Sequence, residues 1–185
     1  EMKAFLLAHR LELTVDRVVT IVNWAHEKKV EATDEAYARF GYQPGQFIVS
    51  YFGNMGICQE METLVSAVEQ MADNDKVQFL FIGHGLKGMC APSKYYSYLQ
   101  GGKAVLAVVE EGSYLKEEIE REGIGQAVRI GDAEGLIKGI LNMQRCSERT
   151  REMQIRAGKL YEQAYRLDKG LNKYRDIFQS LLMRN

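Results

Sequence analysis

Phe47-Ile48-Val49-Ser50-Tyr51-Phe52-Gly53-Asn54-Met55-Gly56 is the stretch whose reading decides the fold. A mostly apolar run stops at two glycines three residues apart. A second run, Val77-Gln78-Phe79-Leu80-Phe81-Ile82, stops at Gly83-His84-Gly85. Each predicts a buried strand that ends in a tight turn. Between them Met61, Leu64, Val65 and Val68 recur at helical spacing, which predicts a helix from Gly56 to about Met71 with one stripe on a sheet. Strand, helix and strand make a βαβ unit, whose crossover is right-handed. Glycines at strand ends let a ligand approach the backbone of an α/β sheet.

Further along, Pro92-Ser93-Lys94 opens a short helix that closes at Gly101-Gly102, before the run Ala104 to Val109. A helix start offers unpaired N–H groups to an anion, and Lys94 adds a cation. The pieces together predict a phosphate-bearing ligand at one rim of a parallel sheet. His84 reads as an exposed turn residue, since no carboxylate is placed to orient it as a base. Ser93 has a second reading as a helix cap, and the glycines a second reading as turn formers only.

The rest of the chain extends the same α/β pattern. Met2 to Leu11 predicts the end of a helix, and Arg17 to Val22 a short β-branched strand. Trp24 is expected to pack where a linker meets the domain. Asp34 to Phe40 predicts a short helix. Tyr114 to Glu122 predicts a helix stopped by Gly123, Gln126 to Ile130 a last strand, and Asp132 the start of a helix whose Leu136, Ile137, Ile140 and Leu141 face inward. From Ser147 the chain reads as helix to its end, with a break near Asp168-Lys169-Gly170. One thing is short. Only six residues separate Gly85 from Pro92, where a glycine-ended strand would feed a further helix and strand.

Composition sets bounds. The 185 residues suffice for one sizeable core, and the net charge of −1 argues against bulk capture of nucleic acid. Residues 145–185 carry 10 Lys/Arg against 5 Asp/Glu, an excess that suits solvated helix faces or contact with an acidic surface. Cys58, Cys90 and Cys146 are odd in number and far apart, so neither a disulfide framework nor a structural zinc site is expected. No apolar run approaches the roughly 20 residues of a membrane helix. The chain opens on Glu1 and reads as a piece of a longer protein.

The order Gly53-Asn54-Met55-Gly56, then Gln59 and Glu62-Thr63-Leu64, then Phe81-Ile82-Gly83-His84-Gly85 resembles the C-terminal domain of family-4-type glycosyltransferases. Pro92 to Ala107 is similar to that family's donor-binding helix and the strand after it. The likeness runs from about Val18 to Tyr165 and lies nearest the branch that builds bacterial surface polysaccharides. The resemblance implies one Rossmann-like half of a GT-B fold: a parallel sheet with helices on both faces and a C-terminal helical extension. Residues 1–25 would be the end of a preceding helix and the interdomain linker, 26–145 the nucleotide-sugar-binding domain, and 146–185 the C-terminal helices. The implied donor contacts are Gly53, Asn54, Gly56, Gln59, Gly83, His84, Gly85, Pro92, Ser93, Lys94 and Ser97, with no catalytic residue assigned.

The family also implies a retaining transfer from a nucleotide-diphosphate sugar to a saccharide or lipid-linked acceptor held by an absent N-terminal domain. No metal or other cofactor is expected. The implied setting is cytoplasmic, at the inner face of a membrane, without nucleic acid. This chain departs from the family in three ways. Asn54 and Gln59 stand where the family commonly places Arg and Lys. Met89 and Ser97 stand where it often carries glutamates, the second of which binds the donor ribose. The family also places more chain between Gly85 and Pro92, which implies a missing βαβ-sized piece of roughly 30 residues or more. These departures leave two alternatives open: a non-catalytic nucleotide-binding module, and a GT-B nucleotide-sugar epimerase. The strands at Phe47 and Ala104 are expected not to be direct neighbours.

Overall fold

A computed structural model describes residues 2–10, 14–15, 18–21, 23–25, 38–39, 41–42, 45–53, 61–83 and 93–183. The fold is α/β and Rossmann-like: parallel strand pairs with helices on both faces, followed by a C-terminal helical stretch. Among the described residues four strands, β1 (Phe47–Gly53), β2 (Val77–Gly83), β3 (Val105–Val109) and β4 (Gly125–Arg129), form two ladders. β1 pairs with β2 and β3 with β4, both in parallel. Among the described residues β1 and β3 do not pair, as the shortness of the chain between Gly85 and Pro92 led us to expect.

Helices α1 (Met2–His9), α2 (Met61–Gln70), α3 (Ser93–Gln100), α4 (Tyr114–Glu122), α5 (Ala133–Arg145), α6 (Ser147–Leu160) and α7 (Leu167–Leu182) complete the described elements, with a π turn at Tyr161–Tyr165 between α6 and α7. Local chemistry sets several boundaries. Ser113 caps α4 by accepting from the Leu115 N–H, and Gly123 stops it with a left-handed backbone at φ 59°. Asp132 caps α5, its Oδ1 accepting from the Gly135 N–H at 2.8 Å.

Period-two alternation divides the core. On one face Phe47, Val49, Val77, Phe79, Leu106, Val108 and Val128 meet Ala67 of α2, Met71 just after it, and Leu136 and Ile140 of α5. On the other, Val105, Ala107 and Val109 meet Tyr95, Tyr96 and Leu99 of α3, Ile119 of α4 and Ala157 of α6. A hydrogen bond joins the first and last units: the Gly131 N–H donates to Thr63 Oγ1 at 2.8 Å, and Thr63 is buried.

That bond also orients the strands. Thr63 lies in the first turn of α2, after the C-terminal end of β1, and Gly131 follows the C-terminal end of β4. At the opposite end, a cleft of about 780 Å3 is lined by Met71 and Asp73 to Lys76, before β2, and by Gln144 and Arg145, which end α5. All four strands therefore point to one rim.

Three expectations need correcting. The described part of the 17–22 segment, Val18 to Ile21, is not a strand, because its β-branched residues have no partner ladder. Val65 is 47% exposed, so the inward face of α2 runs through Thr63 and Ala67. The helical break falls at Arg166, whose extended backbone follows the π turn. Gly170 lies within α7, buried against Trp24. The 34–40 helix falls largely outside the described residues, of which Ala38 and Arg39 are helical.

Candidate functional site

The rim of the sheet carries what is described of the expected donor site. Gly53 and Gly83 are the last residues of β1 and β2 and are partners in register. Neither carries a Cβ, the side-chain atom that would keep a ligand from the backbone there. Ser93 opens α3. The helix packs on β3 through Tyr95, Tyr96 and Leu99, and only residues 101–104 join it to β3. A connection that short makes α3 antiparallel to β3, so the N-terminus of α3 lies at the same rim as Gly53 and Gly83. Lys94 is half-buried and Ser97 exposed. Asn54, Gly56, Gln59, His84, Gly85 and Pro92 lie outside the described residues, as do Cys58, Met89 and Cys90.

The N–H groups of a helix start and the positive end of its dipole favour an anion, and the partnered glycines give that anion room. Glu111 and Lys116, beyond β3, form an exposed ion pair at 2.7 Å, and the Lys116 side chain holds the Glu111 carboxyl below its usual range. Arg129 reaches the same carboxylate at 4.0 Å. Glu111 is thus engaged by two cations at the surface.

A tyrosine cluster beneath α3 was only partly legible. The crowding of Tyr95, Tyr96 and Tyr98 requires at least one in the core, and two are buried. The missed partner is Glu118 of α4. Its carboxylate accepts from the Tyr95 hydroxyl at 2.6 Å and from the Tyr165 hydroxyl. Burial, then the bond to Glu118, pushes the Tyr95 and Tyr165 phenols well above their ordinary range. Burial, with smaller effects of Tyr114 and Glu118, pushes Tyr96 up to about 12. The π turn brings Tyr165 to Tyr96, ring centroids 4.9 Å apart. This cluster ties α3 to α4 and to the C-terminal stretch, and so holds the helix start in place.

Two concavities among the described residues lie away from the rim. One is the α2–α5 cleft described above; the other, about 560 Å3, runs along β4 between α4 and α6 and is lined in part by Gln126, Arg149 and Arg156. Neither contains an expected donor contact. No group of three His, Cys, Asp or Glu side chains that could hold a metal occurs among the described residues. Among these residues, no helix is long and apolar enough to cross a membrane.

No family model matches the chain. It is similar to the probable glycosyltransferase WbjE of Pseudomonas aeruginosa, with 29% identity over 157 residues, covering 58% of this chain and 39% of that protein. The matched part thus spans about two fifths of the relative's length. The alignment also has an internal shortfall. Fifty-eight per cent of 185 residues is about 107, so roughly 50 of the 157 aligned positions have no counterpart here. The relative's name supports a relation of this chain to glycosyltransferases.

Proposed function

We propose that this chain is the donor-binding part of a retaining glycosyltransferase. In this reading it holds a nucleotide-diphosphate sugar, and residues outside the chain hold a saccharide or lipid-linked acceptor at the inner face of a membrane. The observation that carries the reading is the pairing of Gly53 with Gly83 at the rim where α3 begins. The likeness to a probable glycosyltransferase favours sugar transfer over other uses of a phosphate-binding rim.

Each group has a role in this account. Backbone at Gly53 and Gly83 gives the diphosphate close access, and Gly56 and Gly85 are counted with them as donor contacts in this reading. The N–H groups at Ser93 and the Lys94 ammonium stabilise the negative charge that grows on the departing diphosphate. That positive potential supplies what a metal would otherwise supply. Asn54, Gln59, His84 and Pro92 are further donor contacts in this reading, and Ser97 is its ribose contact. The test is sugar transfer by this chain joined to the acceptor-binding half of a relative. Transfer that is lost in Lys94→Ala supports the reading, and nucleotide binding confined to another surface overturns it.

A second reading, a nucleotide-binding module without transfer, is favoured by the roughly 50 positions that the chain lacks relative to its match. It would bind the nucleoside diphosphate at the same rim yet give no transfer in the joined protein.

A further inference from the structure

The donor rim relies on the start of α3, and α3 is short. Its eight residues, Ser93–Gln100, make about two turns, too few to hold a helix in water without packing. Its place is therefore set by what grips it. Leu99 is fully buried, with Tyr95 and Tyr96 buried beside it, which settles the inward face. The polar contacts settle the two ends.

At the C-terminal end, Gln100 Nε2 donates to the Tyr161 hydroxyl at 3.2 Å. Near the N-terminal end, the Tyr95 hydroxyl donates to Glu118 Oε2 at 2.6 Å, and the Tyr165 hydroxyl donates to Glu118 Oε1. The Tyr165 ring also stands 4.9 Å from that of Tyr96 and 6.2 Å from that of Tyr95. Tyr161 and Tyr165 are the first and last residues of the π turn. One turn of the C-terminal stretch thus meets both ends of α3.

Glu118 is the joint at the end that faces an anion. Tyr95 is the third residue of α3, so its N–H, like those of Ser93 and Lys94, has no acceptor within the helix. Its side chain anchors that same residue to Glu118. The Glu118 side chain is only 12% exposed. A carboxylate so far from water is costly unless hydrogen bonds hold it, and the two hydroxyls do so, one on each oxygen. That arrangement fixes the separation of α3 from the π turn, where a single bond would leave either tyrosine free to swing.

We propose that Glu118 is a positioning residue of the donor rim, and that through it the C-terminal stretch sets how tightly the rim binds a nucleoside diphosphate. The inference rests on the donor-binding reading. Glu118 does not touch the ligand; it acts through Tyr95. Loosening the joint frees the first turn of α3 and scatters its N–H groups, while Leu99 and the Gln100 contact keep the last turn in place.

Two variants and a control test it. Glu118→Gln keeps the shape of the side chain and removes its charge. Tyr165→Phe keeps the ring and removes one hydroxyl. Thr150→Val removes a buried bond, from Thr150 Oγ1 to the Met143 carbonyl, near the end of α5 that lies away from the rim. Hydrogen exchange is read first, without nucleotide. The Ser97 amide closes the first turn of α3 on the Ser93 carbonyl, and it is expected to exchange at least about tenfold faster in both variants. The Gly101 amide, which donates to the Ser97 carbonyl at 3.0 Å, is expected to stay within about twofold. Equal acceleration of the two amides, or none, would overturn the inference. Calorimetric titration follows, with whichever of UDP, GDP and ADP binds the original chain. Both variants are expected to bind it at least about fivefold more weakly, and Thr150→Val as tightly as the original. Affinity kept in both variants, or lost equally in Thr150→Val, would also overturn it. If none of the three binds the original chain, the donor-binding reading fails, and the Ser97 amide still decides the joint. If Glu118→Gln does not fold, Tyr165→Phe decides.

Discussion

Gly53 and Gly83 end adjacent parallel strands as partners in register, so two residues without side chains stand side by side at one rim of the sheet. A single strand-end glycine permits a turn. Two in register leave a stretch of backbone that an anion can approach. The nearby start of α3 gives that approach its charge preference.

Ser97 is exposed on α3, so replacing it costs little stability, within about 0.5 kcal/mol. Ser97→Glu places a carboxylate where the resemblance locates ribose recognition. It is expected to tighten binding of a nucleoside diphosphate by about tenfold, the worth of a hydrogen bond to a charged group. Inorganic pyrophosphate, which has no ribose, should bind no more tightly to the variant than to the original chain. Calorimetric titration with both ligands measures the difference, and an equal gain for both would count against the assigned role.

Thr63→Val keeps the shape of the side chain and removes the acceptor of the Gly131 N–H. Gly131 is exposed, so water reaches the freed N–H and the expected cost is the net worth of the bond, about 0.5–1.5 kcal/mol. Thr63→Ser retains the hydroxyl and is expected to recover most of that loss. Urea denaturation of the three proteins reads the effect, and equal midpoints would show that this bond does not join the two units.

Much of this architecture was legible in the sequence, because it rests on local signals. The runs ending at Gly53 and Gly83, the cap at Asp132 and the stop at Gly123 each combine periodicity with a residue whose chemistry sets a boundary. What stayed hidden depends on distant partners. The β-branched stretch at 17–22 has strand propensity, but propensity without a neighbouring edge does not make a strand. Glu118 reads as one more charge on a charged helix until the fold brings Tyr95, 23 residues before it, and Tyr165, 47 after it, to its carboxylate. Gly170 looks like a helix breaker, yet its missing Cβ makes room for Trp24. At the site, Gly53, Gly83 and the start of α3 were foreseen as strand and helix ends, but that the two glycines are partners in register appears only once the strands pair.

The tyrosine cluster predicts an alkaline limit to stability. Tyr96 is pushed up to about 12, and Tyr95 and Tyr165 are pushed further in the same direction. In the unfolded chain all three give up their protons near pH 10. Their contribution is therefore fully present below about pH 10 and is lost as pH rises above it, by about 1.4 kcal/mol per pH unit for each tyrosine that stays protonated only in the folded state. Denaturation at stepped pH values should show the fall, and Tyr96→Phe should make it shallower. A slope unchanged in that variant would remove Tyr96 from the account.

Gly170→Ala tests the packing of α7 on Trp24. A Cβ at Gly170 would stand 2.5 Å from Trp24 Cε3 and 2.7 Å from Cζ3, so the indole must move. The expected cost is about 1–3 kcal/mol, the range for overpacking a filled site. Trp24 is the sole tryptophan, so its fluorescence reports the displacement directly. An unchanged spectrum together with unchanged stability would mean that the ring does not rest on α7.

The central claim is that a nucleoside diphosphate binds at the rim shared by Gly53, Gly83 and the start of α3. Its most direct test is an amide-shift titration of this chain with UDP, GDP and ADP at millimolar concentration. The account predicts that at least one of the three shifts the amides of Gly53, Gly83, Ser93 and Lys94 together, along a single saturation curve. It also predicts that Lys94→Ala weakens that curve severalfold. Shifts confined to other surfaces, or none with any of the three ligands, would contradict it.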